Sequence, residues 1–296
     1  MLAATLLWGG TFVAVRDVVR TVSPVELVCA RFAAAALVLA AALAARAIGA
    51  RAGAGRARGA WRASLVGGAV AGVLAAGGYL FQAIGLTSTS AGSSAFLTCT
   101  GTALAPLFAW PLLGQRPTVL LAQGLLLAIA GSFLMSVPVS APGVSPAAHG
   151  WAIGPGEAWT LFGAVVYALQ VVALGRWAPR ADALALAAVQ AAVIALALLP
   201  FAGGAVRALG TLGPGGGWRF LYLVLGGSVA APLLQVVAQR TLPAGRVALL
   251  FALEPVFALL FALTLGGERF APAWWAGALL VLSGVLRVEW RGAVKP

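Results

Sequence analysis

Residues 91–131, AGSSAFLTCTGTALAPLFAWPLLGQRPTVLLAQGLLLAIAG, lie on residues 244–284, AGRVALLFALEPVFALLFALTLGGERFAPAWWAGALLVLSG, without a gap at an offset of 153. Fifteen of the 41 positions are identical, among them Gly92/Gly245, Leu107-Phe108-Ala109/Leu260-Phe261-Ala262, Arg116/Arg269, Gly124/Gly277 and Gly131/Gly284. A chain this rich in Ala, Leu and Gly would give about 4 by composition, so the match is an internal repeat. The same offset pairs Gln82 with Gln235.

Each copy of the repeat is made of apolar runs. The chain has 296 residues, 62% of them hydrophobic and 9% charged. An average soluble domain carries about 25% charged residues, so an ordinary soluble globule is excluded. A spanning helix needs about 20 mainly apolar residues. Ten runs qualify: 2–19, 24–45, 63–84, 91–113, 118–137, 157–175, 183–202, 218–239, 246–265 and 272–290. The fold class is an all-α membrane protein with ten transmembrane helices in two inverted five-helix repeats. Residues 1–137 form the first repeat, 138–156 an external linker rich in Pro, Gly and Ser, and 157–296 the second repeat.

The inversion follows from the count. Five spans is an odd number, so the second copy enters the bilayer in the opposite sense. Net charge is +12. Its Lys and Arg sit in short segments between apolar runs, which fits the positive-inside rule and not a nucleic-acid patch. With the N-terminus in the cytoplasm, 13 of the 19 Lys and Arg fall inside and five outside (Arg16, Arg20, Arg207, Arg219 and Arg269), leaving Arg31 within a span. Both termini are then cytoplasmic. Inverted-topology repeats are a mark of secondary transporters, whose substrate site lies near the midplane between the halves.

Other chemistry is thinly supplied. Cys29 and Cys99 both lie in apolar runs, and neither a disulfide framework nor metal spacing is present. The single histidine, His149, is in the linker, so an intramembrane enzyme lacks the clustered groups it would need. No cofactor is expected. The first run opens at Met1 without a charged leader, so no cleavable signal is expected, and the native N-terminus is expected to be longer.

The stretches LLWGGTFVAVR at 6–16, Arg31-Phe32, and ALEPVFALLFALTLGGERF at 252–270 resemble the EamA-type branch of the drug/metabolite transporter superfamily. The resemblance covers nearly the whole chain and both repeats. It implies ten helices, a bacterial inner-membrane location and export of small metabolites. Within that branch the chain looks most like YddG-type exporters of aromatic and other amino acids. The first copy departs from the pattern: Gln115 stands where Glu is usual, and Pro106 lies one turn after the position matching Pro255.

Ionisable groups at membrane depth are costly and mark cavities or protein interiors. Glu254 is the one carboxylate near the middle of a span, and Pro255 loosens the helix beside it. It lines a cavity, meeting a substrate ammonium or carrying a proton, or else it is a buried structural carboxylate. Arg31 lies nearer the outer end of its span. Snorkelling to the interface, or pairing with Glu26 or Asp17, accounts for it without substrate. Trp8 and Thr11 share a helix face, as do Tyr79 and Gln82, and Gln235 and Gln239. Gln82 and Gln235 stand at the two mouths of one cavity or bridge helices. Thr98 and Thr100 fall mid-span, where a hydroxyl is often absorbed by its own helix. Trp159 and Tyr167 build an aromatic wall, unless Trp159 belongs to the interfacial belt.

The candidate substrate-binding set is therefore Trp8, Thr11, Tyr79, Gln82, Thr98, Trp159, Gln235 and Glu254. The leading function is alternating-access export of amino acids, aromatic ones included. The alternative is a multidrug or lipophilic-cation exporter coupled to protons through Glu254. The expected partners are a small-molecule substrate and the lipid bilayer, with the protein a monomer or loose dimer and no nucleic acid involved.

Overall fold

The computed structural model describes residues 1–49, 58–136, 153–264 and 272–293. Among them the regular structure is all helix: α1 Leu2–Val18, α2 Pro24–Gly49, α3 Arg58–Gly85, α4 Ala91–Thr102, α5 Ala105–Leu113, α6 Val119–Ser136 and α7 Pro155–Trp177. There follow α8 Ala183–Leu198, α9 Ala205–Gly210, α10 Gly213–Tyr222, a π-helical segment Leu223–Ala230, α11 Ala231–Ala238, α12 Ala244–Phe251, α13 Glu254–Thr264 and α14 Pro272–Ala293.

Seven stretches among these residues are long and apolar enough to cross a membrane: Pro24–Ile48, Gly59–Gly85, Ala91–Leu113, Pro155–Arg180, Ala183–Phe201, Gly213–Ala238 and Ala244–Phe261. Val119–Met135 is a shorter apolar helix. The surface is inverted relative to a soluble protein. Leu37, Val73, Phe162, Leu196 and Leu279 are exposed, whereas Arg31, Gln82, Gln170, Gln235 and Glu254 are buried. In hydrocarbon, polar groups must find partners inside the protein, so this distribution fits a multi-pass membrane protein.

Three of the expected continuous spans are interrupted, and proline accounts for each. Pro106 cannot donate to the carbonyl of residue 102, one turn back, and the helix breaks at 103–104 between α4 and α5. Pro255 breaks the matching span at 252–253, between α12 and α13. Each gap ends two residues before its proline, so the shift of Pro106 by one turn shifts the break with it. Pro232 cannot donate to the Ser228 carbonyl, and the π-helical segment lies on its N-terminal side.

Other boundaries moved modestly. The second span runs on to Gly49 and the third begins at Arg58, because the Ala-rich flanks continue the helix. Pro155 and Gly156, placed in the linker, open α7 instead, with Pro at the first helical position where its missing N–H costs nothing. The rest of the linker from 138 to 152, with His149 and Trp151, lies outside the described residues, as do Arg51, Arg56, Gly267-Glu268-Arg269 and Lys295.

The helices pack in matched sets. α4 packs on α7, and α13 on α1; α3 packs on α8, and the π segment on α2. α6 and α14 cross at their glycines, where the absent side chains let the backbones approach. A Cβ built on Gly124 would lie 3.0 Å from the Gly284 carbonyl oxygen, and one on Gly284 would lie 2.6 Å from the Gly124 oxygen. Polar ties join the helix ends: Arg46 to Asp182 at 2.8 Å, Arg219 to Asp17 at 3.1 Å, and Arg246 Nε to Glu289 at 3.1 Å.

Candidate functional site

α1, α3, α4, α7, α11, α12 and the start of α13 converge on one cavity. It is lined by Trp8, Thr11, Phe12, Tyr79, Gln82, Thr98, Tyr167, Gln170, Val171, Gln235, Phe251 and Glu254. The cavity has a volume of about 40 Å³. At roughly 10–15 Å³ for each water, that is room for a few waters and not for a metabolite.

One wall is aromatic. The Trp8 and Phe251 rings lie 5.4 Å apart, tilted by 31°. Tyr79 meets Tyr167 edge-on, with centroids 5.3 Å apart, and Phe32 backs Tyr79 at 4.6 Å. The other wall is amide-rich. Gln82 Nε2 donates to Thr98 Oγ1 at 3.1 Å, tying α3 to α4. Gln170 and Gln235 exchange two amide hydrogen bonds, at 3.3 and 3.1 Å, tying α7 to α11.

Three polar groups remain open. Glu254, the first residue of α13, is 6% exposed, and no hydrogen bond or ion pair to it occurs among the described residues. The buried Tyr167 hydroxyl also has no partner among them. The third is Arg31, discussed below. Trp8 is anchored instead, its Nε1 donating to the Gly227 carbonyl at 3.1 Å in the π segment. π-helical segments leave the regular bonding register, and Gly227 offers its carbonyl there.

Seven of the eight residues proposed from sequence lie on this cavity: Trp8, Thr11, Tyr79, Gln82, Thr98, Gln235 and Glu254. Trp159 does not. It is 41% exposed and stacks on Phe81 at 5.4 Å, because its place near the start of α7 turns it outward, as the belt reading has it. Thr11 lines the cavity, yet its hydroxyl bonds the Trp8 carbonyl of its own helix at 2.7 Å. Thr100 is absorbed likewise by Phe96 O at 3.0 Å. Gln239 lies off the cavity and donates to Val171 O at 2.7 Å.

The sequence reading of Arg31 is corrected. Arg31 does not snorkel, and it pairs with no acid among the described residues. It is 2% exposed, and its Nε donates to Ser228 Oγ at 2.7 Å. Its guanidinium carbon lies 5.1 Å from the ring centres of both Phe32 and Tyr79. Asp17 is taken by Arg219. The cause is the π segment packed on α2, which presents Ser228 and a side-chain-free Gly227 toward Arg31.

Phe12, Gln170, Val171 and Phe251 are lining residues that sequence reasoning missed. Two had a signal. Phe251 is the repeat partner of Thr98, and Gln170 lies three residues beyond Tyr167 on the same helical face. Phe12 and Val171 are apolar residues among many, with nothing local to single them out.

Known proteins resemble this chain in sequence and in fold. An "Uncharacterized transporter" of Archaeoglobus fulgidus is 26% identical over 286 residues, covering 97% of this chain and 83% of the relative. A solved structure described as "Crystal structure of protein" superposes with a TM-score of 0.68 at 20% identity, covering 99% of this chain and 96% of that one. It is a likeness of fold. The model of the EamA-like transporter family matches residues 1–137 and again 154–289. The chain is a membrane transporter and belongs to the EamA-like transporter family.

Proposed function

We propose that this transporter exports small metabolites, amino acids and aromatic ones among them, by alternating access between two inverted five-helix repeats. The observation that carries the reading is the composition of the cavity. Aromatic faces suit an apolar or aromatic side chain and attract an ammonium group. A few fixed amides and one buried carboxylate suit the polar ends. The lining comes from both halves of the chain, Tyr79, Gln82 and Thr98 from one and Tyr167, Gln235 and Glu254 from the other.

The repeat reading has separate support. Swapping the halves turns the Gly124–Gly284 contact into Gly277–Gly131, which is also close. The two family matches divide the chain at the same place. The ion pairs support only the grouping of charged segments on two sides, and the proposed orientation, in the bacterial inner membrane with both termini cytoplasmic, rests on the excess of Lys and Arg on one of them. Arg46–Asp182 and Arg246–Glu289 join residues assigned inside, and Arg219–Asp17 joins residues assigned outside. A cavity of about 40 Å³ also requires the helices to part before a solute enters. The breaks beside Pro106 and Pro255 are natural hinges for that motion.

The second reading is a proton-coupled exporter of lipophilic cations, and Glu254 favours it. A buried carboxylate without a cationic partner among the described residues suits a cation or a proton equally well. Uptake into proteoliposomes of a panel of labelled amino acids and cations, with and without a pH gradient, separates the two. Transport of amino acids supports the first reading. Cations alone, driven by the gradient, support the second.

A further inference from the structure

We propose that Arg31 is the anion-recognising group of the transport site and that the solute carries a carboxylate. This rests on the export reading and deepens it by naming the substrate's charged ends.

Arg31 is 98% removed from solvent by its 2% exposure, and its Nη2 has no hydrogen-bond partner among the described residues. No carboxylate there lies within ion-pair distance of it. A buried guanidinium left in this state is expensive, since the interior returns little of its lost hydration. Its Nε is held by Ser228 at 2.7 Å, which fixes the fork while Nη2 stays free. Ser228 is itself anchored, donating to the Leu223 carbonyl at 2.9 Å within the π segment. The group is thus built and positioned, with both N–H donors of Nη2 unused.

Nη2 faces Gly227 of the π segment, next to residues that line the cavity. A Cβ built on Gly227 would lie 3.0 Å from Arg31 Nη2 and 2.7 Å from Thr11 Cγ2. Gly227 therefore keeps the space between Nη2 and Thr11 clear of side chain. Thr11 and Tyr79, both beside Arg31, line the cavity. Tyr79 carries Arg31 against its ring at 5.1 Å. A modest shift of either side chain opens the guanidinium to a solute.

Glu254, in the lining itself, carries the opposite charge, also without an ionic partner among the described residues. A carboxylate in the wall and a guanidinium packed directly behind the lining residue Tyr79 fit a molecule bearing both an ammonium and a carboxylate. The planar guanidinium matches a carboxylate in a way that a point charge does not.

The test uses the full chain purified in detergent and three matched probes: phenylalanine, phenethylamine without the carboxylate, and 3-phenylpropionate without the ammonium. Apparent Kd comes from the rise of Tm with probe concentration. Arg31→Gln should weaken phenylalanine and 3-phenylpropionate at least about tenfold and leave phenethylamine within about twofold. Equal loss for all three probes, or no loss, overturns the inference and makes Arg31 a packing residue. If Arg31→Gln yields no folded protein, Arg31→Lys carries the test. It keeps the charge but loses the fork, so phenylalanine should weaken severalfold relative to phenethylamine, and equal weakening overturns the inference. Wild-type protein that binds only phenethylamine overturns both this inference and the amino-acid reading. Wild-type protein that binds phenylalanine, with Arg31→Gln binding it as well, overturns this inference alone.

Discussion

Gln170 on α7 and Gln235 on α11 face each other across the cavity floor with both amides engaged, each donating to the other's carbonyl oxygen at 3.3 and 3.1 Å. The pair is a reciprocal clasp that uses one N–H of each amide and leaves the second N–H of each available to a third group. Gln235→Leu should strand the Gln170 amide and destabilise the protein by about 1 kcal/mol. The double substitution with Gln170→Leu should recover part of that stability while remaining inactive, because both polar groups are gone from the wall. Tm of the three variants and proteoliposome flux provide the check. A double variant that transports normally would remove the pair from the site.

Glu254→Gln keeps the size and hydrogen-bonding capacity of the side chain and removes its charge. Flux of the preferred substrate should fall at least about tenfold, since nothing else among the described residues offers a carboxylate to the cavity. Tm should stay within a few degrees, as no ion pair is broken. Unchanged flux across the whole pH range would leave Glu254 a structural residue.

Gly131 and Gly277 meet so closely that neither accommodates a methyl group. A Cβ on Gly277 would lie 2.5 Å from the Gly131 carbonyl oxygen, and one on Gly131 would lie 2.8 Å from the Val281 nitrogen. Backbone cannot yield as a side chain does, so Gly131→Ala and Gly277→Ala should each cost about 1–3 kcal/mol. Gly217→Ala, with nothing within 4 Å, is the matched control and should be nearly neutral. Thermal unfolding of the three in one detergent measures the difference, and equal Tm values would deny the close crossing of α6 and α14.

Two tryptophans make opposite forecasts. Trp8 lines the cavity and donates to Gly227 O, so Trp8→Ala should cut flux by about tenfold or more through loss of an aromatic anchor. Trp159 points outward and stacks on Phe81, so Trp159→Ala should leave flux within about twofold. Initial rates at saturating substrate decide. A strong effect at Trp159 would extend the site toward the start of α7.

Topology is open to chemical labelling. With the native cysteines replaced, a cysteine at Ser145 should react with an impermeant reagent added to whole cells, and one at Gly55 should react only after permeabilisation. The reverse pattern would place both termini outside and overturn the charge-based orientation.

The membrane class, the repeat and most of the candidate lining were legible in the residue order. Apolar runs of bilayer length and a 15-in-41 identity at one offset are properties of the chain itself. They need no knowledge of what touches what. Gln82, Gln235 and Glu254 were readable for the same reason: a polar side chain in an apolar run is costly wherever it faces lipid, so it must turn inward. Pro255 also marked where its helix loosens, because the missing N–H acts one turn back, although Pro111 sits inside α5 without breaking it. The partner of each inward group was a different matter. Arg31 has Glu26 and Asp17 near it in sequence, and local spacing pairs them. Only the packing of the π segment on α2, 197 residues away at Ser228, removes Arg31 from both acids and buries it behind Tyr79. Trp159 and Trp8 are equally aromatic, and helix rotation alone sends one outward and the other to the cavity. Gln170 found Gln235 across 65 residues. Spacing along a helix says which residues share a face, but the direction of that face is set by the neighbours it packs on, and those are decided by tertiary contacts.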